Sequence, residues 1–224
     1  MTQQLPAAVL WDMDGTLIDT EPYWLSAETQ LVHSHGGVWT HEDGLTLVGN
    51  GLWESAEIFR SRGVQLTADE IVSRLTDTVL AQVRTEVPWR PGARELLLAV
   101  REAGIPTALV TMSVHRMAAY VAGSFGFDAF DVIVAGDDVT NSKPHPEPYL
   151  RAAQLLDVAP TDCVAFEDSP PGLASALASG ATTIGVPLHV SIEPGPHHTV
   201  WPTLADKTLD DLLDVYRDSL GVTA

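Results

Sequence analysis

The sequence predicts an α/β fold, a doubly wound, Rossmann-like parallel sheet core with an inserted all-helical cap domain. Three observations predict it. Apolar runs of four or five residues alternate with amphipathic helical stretches, the pattern of strands buried on both faces of a parallel sheet. Polar clusters follow the carboxyl ends of several of those runs. Residues 20–85 break the alternation and hold only helical candidates.

The first strand candidate, Ala7 to Trp11, ends at Asp12. In the block that follows, Tyr23 to His35 and Leu52 to Arg62 read as helices, the second stopped by Gly63. Thr67-Ala-Asp-Glu70 is a capping box that opens a helix running to about Arg84. Val87-Pro-Trp-Arg-Pro-Gly92 is a return linker. The core is therefore expected over 1–19 and 86–224 and the cap over 20–85, with linkers near 16–20 and 85–90.

In the second half, Gly92 to Ala103 carries Leu96, Leu97 and Val100 on one stripe and stops at Gly104. Thr107 to Val110 is a strand that ends at Thr111, and Ser113 is placed as the cap of a helix holding Met117 to Val121. Asp131 to Ala135 is the next strand, followed by Gly-Asp-Asp. Glu147 to Asp157 starts a helix after a proline. Cys163 to Phe166 is a strand ending at Glu167-Asp168, Pro170 to Ser179 a helix ended by Gly180, and Thr182 to Val186 a β-branched strand. Thr208 and Asp211 form a capping box for a last helix over Leu209 to Leu220.

Composition narrows the function classes. A chain of 224 residues buries a full hydrophobic core. Thirty acidic against twelve basic residues give a net charge of −18, which repels nucleic acid and anionic membrane, so neither is expected as a partner. The single cysteine, Cys163, excludes an internal disulfide and points to a reducing compartment. No basic-then-apolar leader opens the chain, and no apolar run approaches the roughly 20 residues of a membrane span. The expectation is a cytoplasmic monomer.

Asp12 and Asp14, then Thr111, then Lys143, then Glu167 and Asp168 all fall just past predicted strand ends. In an open parallel sheet those ends form the ligand crevice, so the clusters converge there. Four carboxylates share a crevice only if something offsets their repulsion. A hard divalent cation does so, and Mg²⁺ suits a site of carboxylates, water and a substrate phosphate. The lysine, the hydroxyl and backbone N–H groups near Ser113 complete a pocket for a phosphoryl group. Only two of the twelve basic residues are lysine, Lys143 and Lys207, so a compact ammonium at 143 stands out against the chain's preference for arginine.

These residues resemble the motifs of the haloacid dehalogenase superfamily, in order. They are Asp12-Met-Asp14-Gly15-Thr16, Val110-Thr111-Met112-Ser113, Lys143-Pro144 and Phe166-Glu167-Asp168-Ser169 with Gly172. The resemblance is to its helical-cap subgroup, which includes β-phosphoglucomutase and phosphoglycolate phosphatase, and it covers essentially the whole chain. It implies Asp12 as nucleophile and Mg²⁺ ligand, and Asp14 as general acid/base that binds Mg²⁺ through its backbone carbonyl. It implies Thr111, Met112, Ser113 and Lys143 around the phosphoryl group, and Asp168 and Glu167 as further Mg²⁺ ligands. The family's dehalogenases lack the second aspartate, so Asp14 argues against that activity.

The implied function is Mg²⁺-dependent hydrolysis of a small phosphorylated metabolite (a sugar, polyol or short acid phosphate) through an aspartyl-phosphate. The alternatives are a phosphomutase and a catalytically silent phospho-ligand binder. The mutases of the subgroup carry a histidine about ten residues past the second aspartate and basic residues on a cap loop. Here the tenth residue is Trp24, and the loop Leu47-Val-Gly-Asn50-Gly-Leu52 has no Lys or Arg. The block 20–85 holds four basic and nine acidic residues, a poor grip for a second phosphate. A silent binder is expected to have lost Asp12 or Asp14. Trp24 and Asn50 are the candidate cap contacts to substrate, while Trp39 and Trp53 are expected chiefly to pack the cap. His33, His35, His41 and His197-His198 read as surface residues, with His197-His198 in a Pro-Gly-rich loop.

Overall fold

The computed structural model describes residues 5–221. The expectation of no leader rests in part on residues 1–4, which lie outside them. Six parallel strands form one sheet in the order β3-β2-β1-β4-β5-β6. They are β1 (Ala8–Trp11), β2 (Thr107–Val110), β3 (Val132–Val134), β4 (Cys163–Glu167), β5 (Thr182–Gly185) and β6 (His198–Val200). The order reverses around β1, which places a topological switch point, and with it a crevice, at the carboxyl end of β1.

Each strand divides its side chains between the two faces by simple alternation. Ala8 and Leu10 of β1 pack on α7 (Glu147–Leu155) and α8 (Pro170–Ser179) through Tyr149, Ala152 and Ala176. Val9 and Trp11 face the opposite way, toward α5 (Ala93–Glu102), α6 (His115–Gly123) and α9 (Leu209–Ser219). Trp11 pairs with Phe166 of β4 in the ladder, and their rings stack 4.2 Å apart. That contact fixes the register that aligns the ends of β1 and β4.

The block after β1 folds into α1 (Glu21–Ser34), α2 (His41–Leu45), α3 (Leu52–Ser61) and α4 (Ala68–Thr85). The capping boxes at Thr67–Glu70 and Thr208–Asp211 form as expected. α2 has its own capping box, Thr40 with Asp43, which the sequence reading missed because a five-residue helix shows little periodicity. The strand β6 was also missed. It is three residues long, half-buried and at the sheet edge, and it takes His198 out of the loop expected for it. The cap meets the core through Arg116 of α6, which donates to Asp77 and to the Ser73 carbonyl, and through Ser142, which donates to Glu54.

Candidate active site

The first motif leaves β1 and turns at once. Gly15 adopts φ +85, and a Cβ there would lie 1.9 Å from Asp168 Oδ2, so only glycine lets the turn pass this close to the second carboxylate. The buried Arg90 guanidinium, from the linker returning to the core, donates to the Gly15 carbonyl at 2.5 Å and the Val186 carbonyl at 2.8 Å. It thereby ties the motif turn to the loop after β5.

Lys143 Nζ lies 2.7 Å from Asp12 Oδ1 and 2.7 Å from Glu167 Oε1, with all three groups buried. Burial alone would lower the ammonium, but the two carboxylates outweigh it and hold Lys143 above its usual range. Burial, with Glu167 adding repulsion, pushes Asp12 up to about 7 against the pull of Lys143. Burial and the same two carboxylates raise Asp168 well above the ordinary carboxylate range. Tyr149 donates to Glu167 Oε1 at 2.5 Å from behind the site.

One lysine does not balance three buried carboxylates. Asp12, Glu167 and Asp168 bring one ligand oxygen each within 4.8 Å of one another. Asp12 Oδ2 and Glu167 Oε2 are buried without a hydrogen-bond partner. A Cβ on Gly172 would lie 1.9 Å from Glu167 Oε2, so that glycine keeps the carboxylate in place at the head of α8. Orphaned carboxylate oxygens converging on one point fit a hard, oxygen-seeking divalent cation such as Mg²⁺.

Asp14 is held differently. Its Oδ1 accepts from Thr20 Oγ1 at 2.5 Å and Trp24 Nε1 at 3.4 Å, and its Oδ2 from Thr111 Oγ1 at 3.2 Å and Ser113 Oγ at 2.8 Å. Thr20 and Trp24 on one side and Thr111 and Ser113 of the loop after β2 on the other orient this carboxyl, which is not one of the three that converge. Ser113 is thus occupied with Asp14. It does not cap α6, whose N-cap is Val114, and its N–H is taken by Thr111 Oγ1. The first N–H of α6, from His115, is taken by Asp137. Among the described residues the N–H groups of Met13, Asp14 and Met112 have no partner, so they are open donors beside Asp12 and in the cavity lining.

A cavity between cap and core joins these groups, though Glu167 is not part of its lining. The core side contributes Asp12, Asp14, Thr111, Met112, Ser113, Lys143 and Asp168, and the cap side contributes Trp24 and Asn50. Trp39 instead packs on Phe59 inside the cap, and Trp53 bonds Asp69 on its surface. Glu21, Glu28, Ser55 and His189 also line the cavity and were not foreseen. The signal for two of them was present: Glu21 and Glu28 are three before and four after Trp24, on one face of α1. His189 pairs with Asp19, just before α1, at 2.7 Å, a contact between distant segments that no local pattern announces.

A family model for haloacid dehalogenase-like hydrolases matches residues 6–180. The chain belongs to that hydrolase family. Hexitol phosphatase B of Escherichia coli is 31% identical over 223 residues, covering 96% of this chain and 96% of that protein. Fructose-1-phosphate phosphatase YqaB of Escherichia coli is 30% identical over 186 residues, covering 81% of this chain and 97% of its own length. The chain spans only 57% of another relative, the bifunctional riboflavin kinase/FMN phosphatase of Arabidopsis thaliana, at 31% identity. Among solved structures, CbbY from Rhodobacter sphaeroides in complex with xylulose-1,5-bisphosphate superposes with a TM-score of 0.85 at 29% identity, covering 93% of this chain and 99% of that one. The β-phosphoglucomutase of Clostridium difficile shares the fold, with a TM-score of 0.84 at 22% identity, covering 97% of this chain and 100% of that one. Among the described residues no helix is long and apolar enough to cross a membrane.

Proposed function

We propose that this protein is a Mg²⁺-dependent phosphatase that hydrolyses a small phosphorylated sugar or related metabolite through an aspartyl-phosphate on Asp12. The observation that carries this reading is the pairing of two unlike aspartates in one cavity. Asp12 is buried against Lys143 with one oxygen free, and Asp14 is oriented by four donors. One suits a nucleophile and the other a proton carrier. The names of the relatives, phosphatases of hexitols and of fructose 1-phosphate among them, support the substrate class.

In this reading an Asp12 carboxylate oxygen attacks phosphorus, and the ester oxygen departs with a proton from Asp14. Water then attacks the phosphoaspartate as Asp14 takes its proton back, releasing phosphate and restoring both residues. Lys143 and the N–H groups of Met13, Asp14 and Met112 hold the phosphoryl oxygens. Asp12, Glu167 and Asp168 would hold Mg²⁺, with the Asp14 carbonyl added by the family resemblance. Bound there, the ion neutralises phosphoryl charge. Residues 20–85 act as a cap that closes on the hinges near 16–20 and 85–90 and excludes water from the first step. We infer a cytoplasmic monomer without nucleic-acid or membrane partners.

A mutase must grip a second phosphate, and the cap side of this cavity offers carboxylates where that grip would be. The test is phosphate release from a panel of metabolite monophosphates, with Mg²⁺ and with chelator. Metal-dependent release is expected. Interconversion of hexose 1- and 6-phosphates without release would contradict it.

A further inference from the structure

The end of the cavity nearest α1 and α3 has a chemical character of its own. Glu28 of α1 is 6% exposed, and its Oε2 accepts from Trp39 Nε1 at 3.0 Å, which leaves Oε1 without a protein partner. Ser55 of α3 is equally buried at 6%, lines the same cavity, and its hydroxyl has no partner among the described residues. Glu21 lines the cavity one helical stretch away from Glu28. Burial, and for Glu21 the neighbouring Glu28, pushes both carboxyls up to about 7.

No lysine or arginine lining the cavity pairs with them, and the one imidazole that acts on Glu21, His189, is itself bonded to Asp19. The cavity's only lysine is committed to Asp12 and Glu167. A second anionic group on the substrate, whether phosphate or carboxylate, would be desolvated against two carboxyls with nothing to pair it. Neutral hydroxyls fit: they can donate to Glu28 Oε1 and accept from Ser55 Oγ. The hydroxyl of Ser55, unpartnered among the described residues and open to the cavity from a residue 6% exposed, is the independent sign that a polar ligand completes this end.

The geometry points to Glu28, with Ser55, as the specificity determinant that binds a hydroxyl of a neutral polyol or sugar leaving group and rejects esters carrying a second anion. This rests on the phosphatase reading above, and it removes short acid phosphates and bisphosphates from the candidate substrates. A polar site built for a hydroxyl loses strongly when the hydroxyl is missing, because its buried groups stay unpaired.

The experiment compares kcat/KM for a hexitol monophosphate, a hexose bisphosphate and 2-phosphoglycolate in the wild type, Glu28→Gln and Ser55→Ala. The readout is the ratio between substrates, which a loss of folded enzyme does not move. The wild type is expected to prefer the hexitol ester by about 100-fold or more, and Glu28→Gln to shrink that ratio by about tenfold or more. Ser55→Ala is expected to shrink it by about fivefold. A preference for either anionic substrate, or a ratio unchanged in Glu28→Gln, overturns the assignment and leaves the phosphatase reading standing. No hydrolysis of any of the three esters, nor of p-nitrophenyl phosphate, overturns both.

Discussion

The Lys143 ammonium and the Asp12 carboxylate meet at 2.7 Å with side chains 2% and 8% exposed. Such a pair is costly to bury and more costly to break, because the surviving charge has no water to return to. Lys143→Ala would leave Asp12, Glu167 and Asp168 facing one another. It is expected to lower stability by about 3 kcal/mol or more in denaturant unfolding without metal. Phosphate release is expected to fall by at least about 100-fold. A stable and active Lys143→Ala would show that the lysine is not part of the site.

The metal site depends on two glycines as much as on its carboxylates. Gly172→Ala puts a methyl where Glu167 Oε2 now lies, in a helix that otherwise accepts alanine. The variant is expected to fold but to lose most of the rise in melting temperature that Mg²⁺ gives the wild type. An undiminished rise in the variant would remove Glu167 from the ligand set.

Glu28 gives the protein a pH signature separate from the metal site. Burial raises its carboxyl from 4.5 to about 7 in the folded state. The folded form therefore holds the proton more tightly than the unfolded form. The stability tied to that proton is fully present below pH 4.5 and is lost as pH rises through 7. Glu28→Gln does not titrate. Its stability relative to wild type should therefore improve by about 2 kcal/mol between pH 5 and pH 8. A difference that stays flat across that range would place the carboxyl in contact with solvent.

Arg90, between α4 and α5, is a buried cation. It serves the carbonyls of Gly15, Val186 and Pro187 at 2.5, 2.8 and 3.4 Å. Arg90→Met would leave them without donors and is expected to cost about 2–4 kcal/mol. Arg90→Lys should recover only part, since one ammonium cannot span what a planar fork does. Equal melting temperatures for Arg90→Lys and wild type would contradict this.

Much of this was legible in the chain, and the reason is periodicity. Five of the six strands follow from apolar runs, and three of the four polar clusters from the polar residues at which those runs stop, while Lys143 lies nine residues beyond the end of β3; parallel topology carries the strand ends to one crevice. Trp24 and Asn50 came from the family resemblance. Glu28 and Ser55 did not: the helical spacing puts Glu28 on the face of Trp24, but its burial depends on a tertiary neighbour, and Ser55 carries no local signal. Arg90 and His189 matter through partners tens of residues away. Ser113 shows the opposite failure. Local capping chemistry favoured it at the start of α6, and Asp14, ninety-nine positions away, won its hydroxyl.

In the proposed reaction the phosphoryl group passes through Asp12. Acid quenching during turnover with Mg²⁺, followed by peptide mass spectrometry, tests it most directly. The account predicts a phosphoryl group on the peptide holding Asp12, absent in Asp12→Asn, which should also release no phosphate. Sustained turnover by Asp12→Asn, or a phosphoryl group carried on another residue, would contradict it.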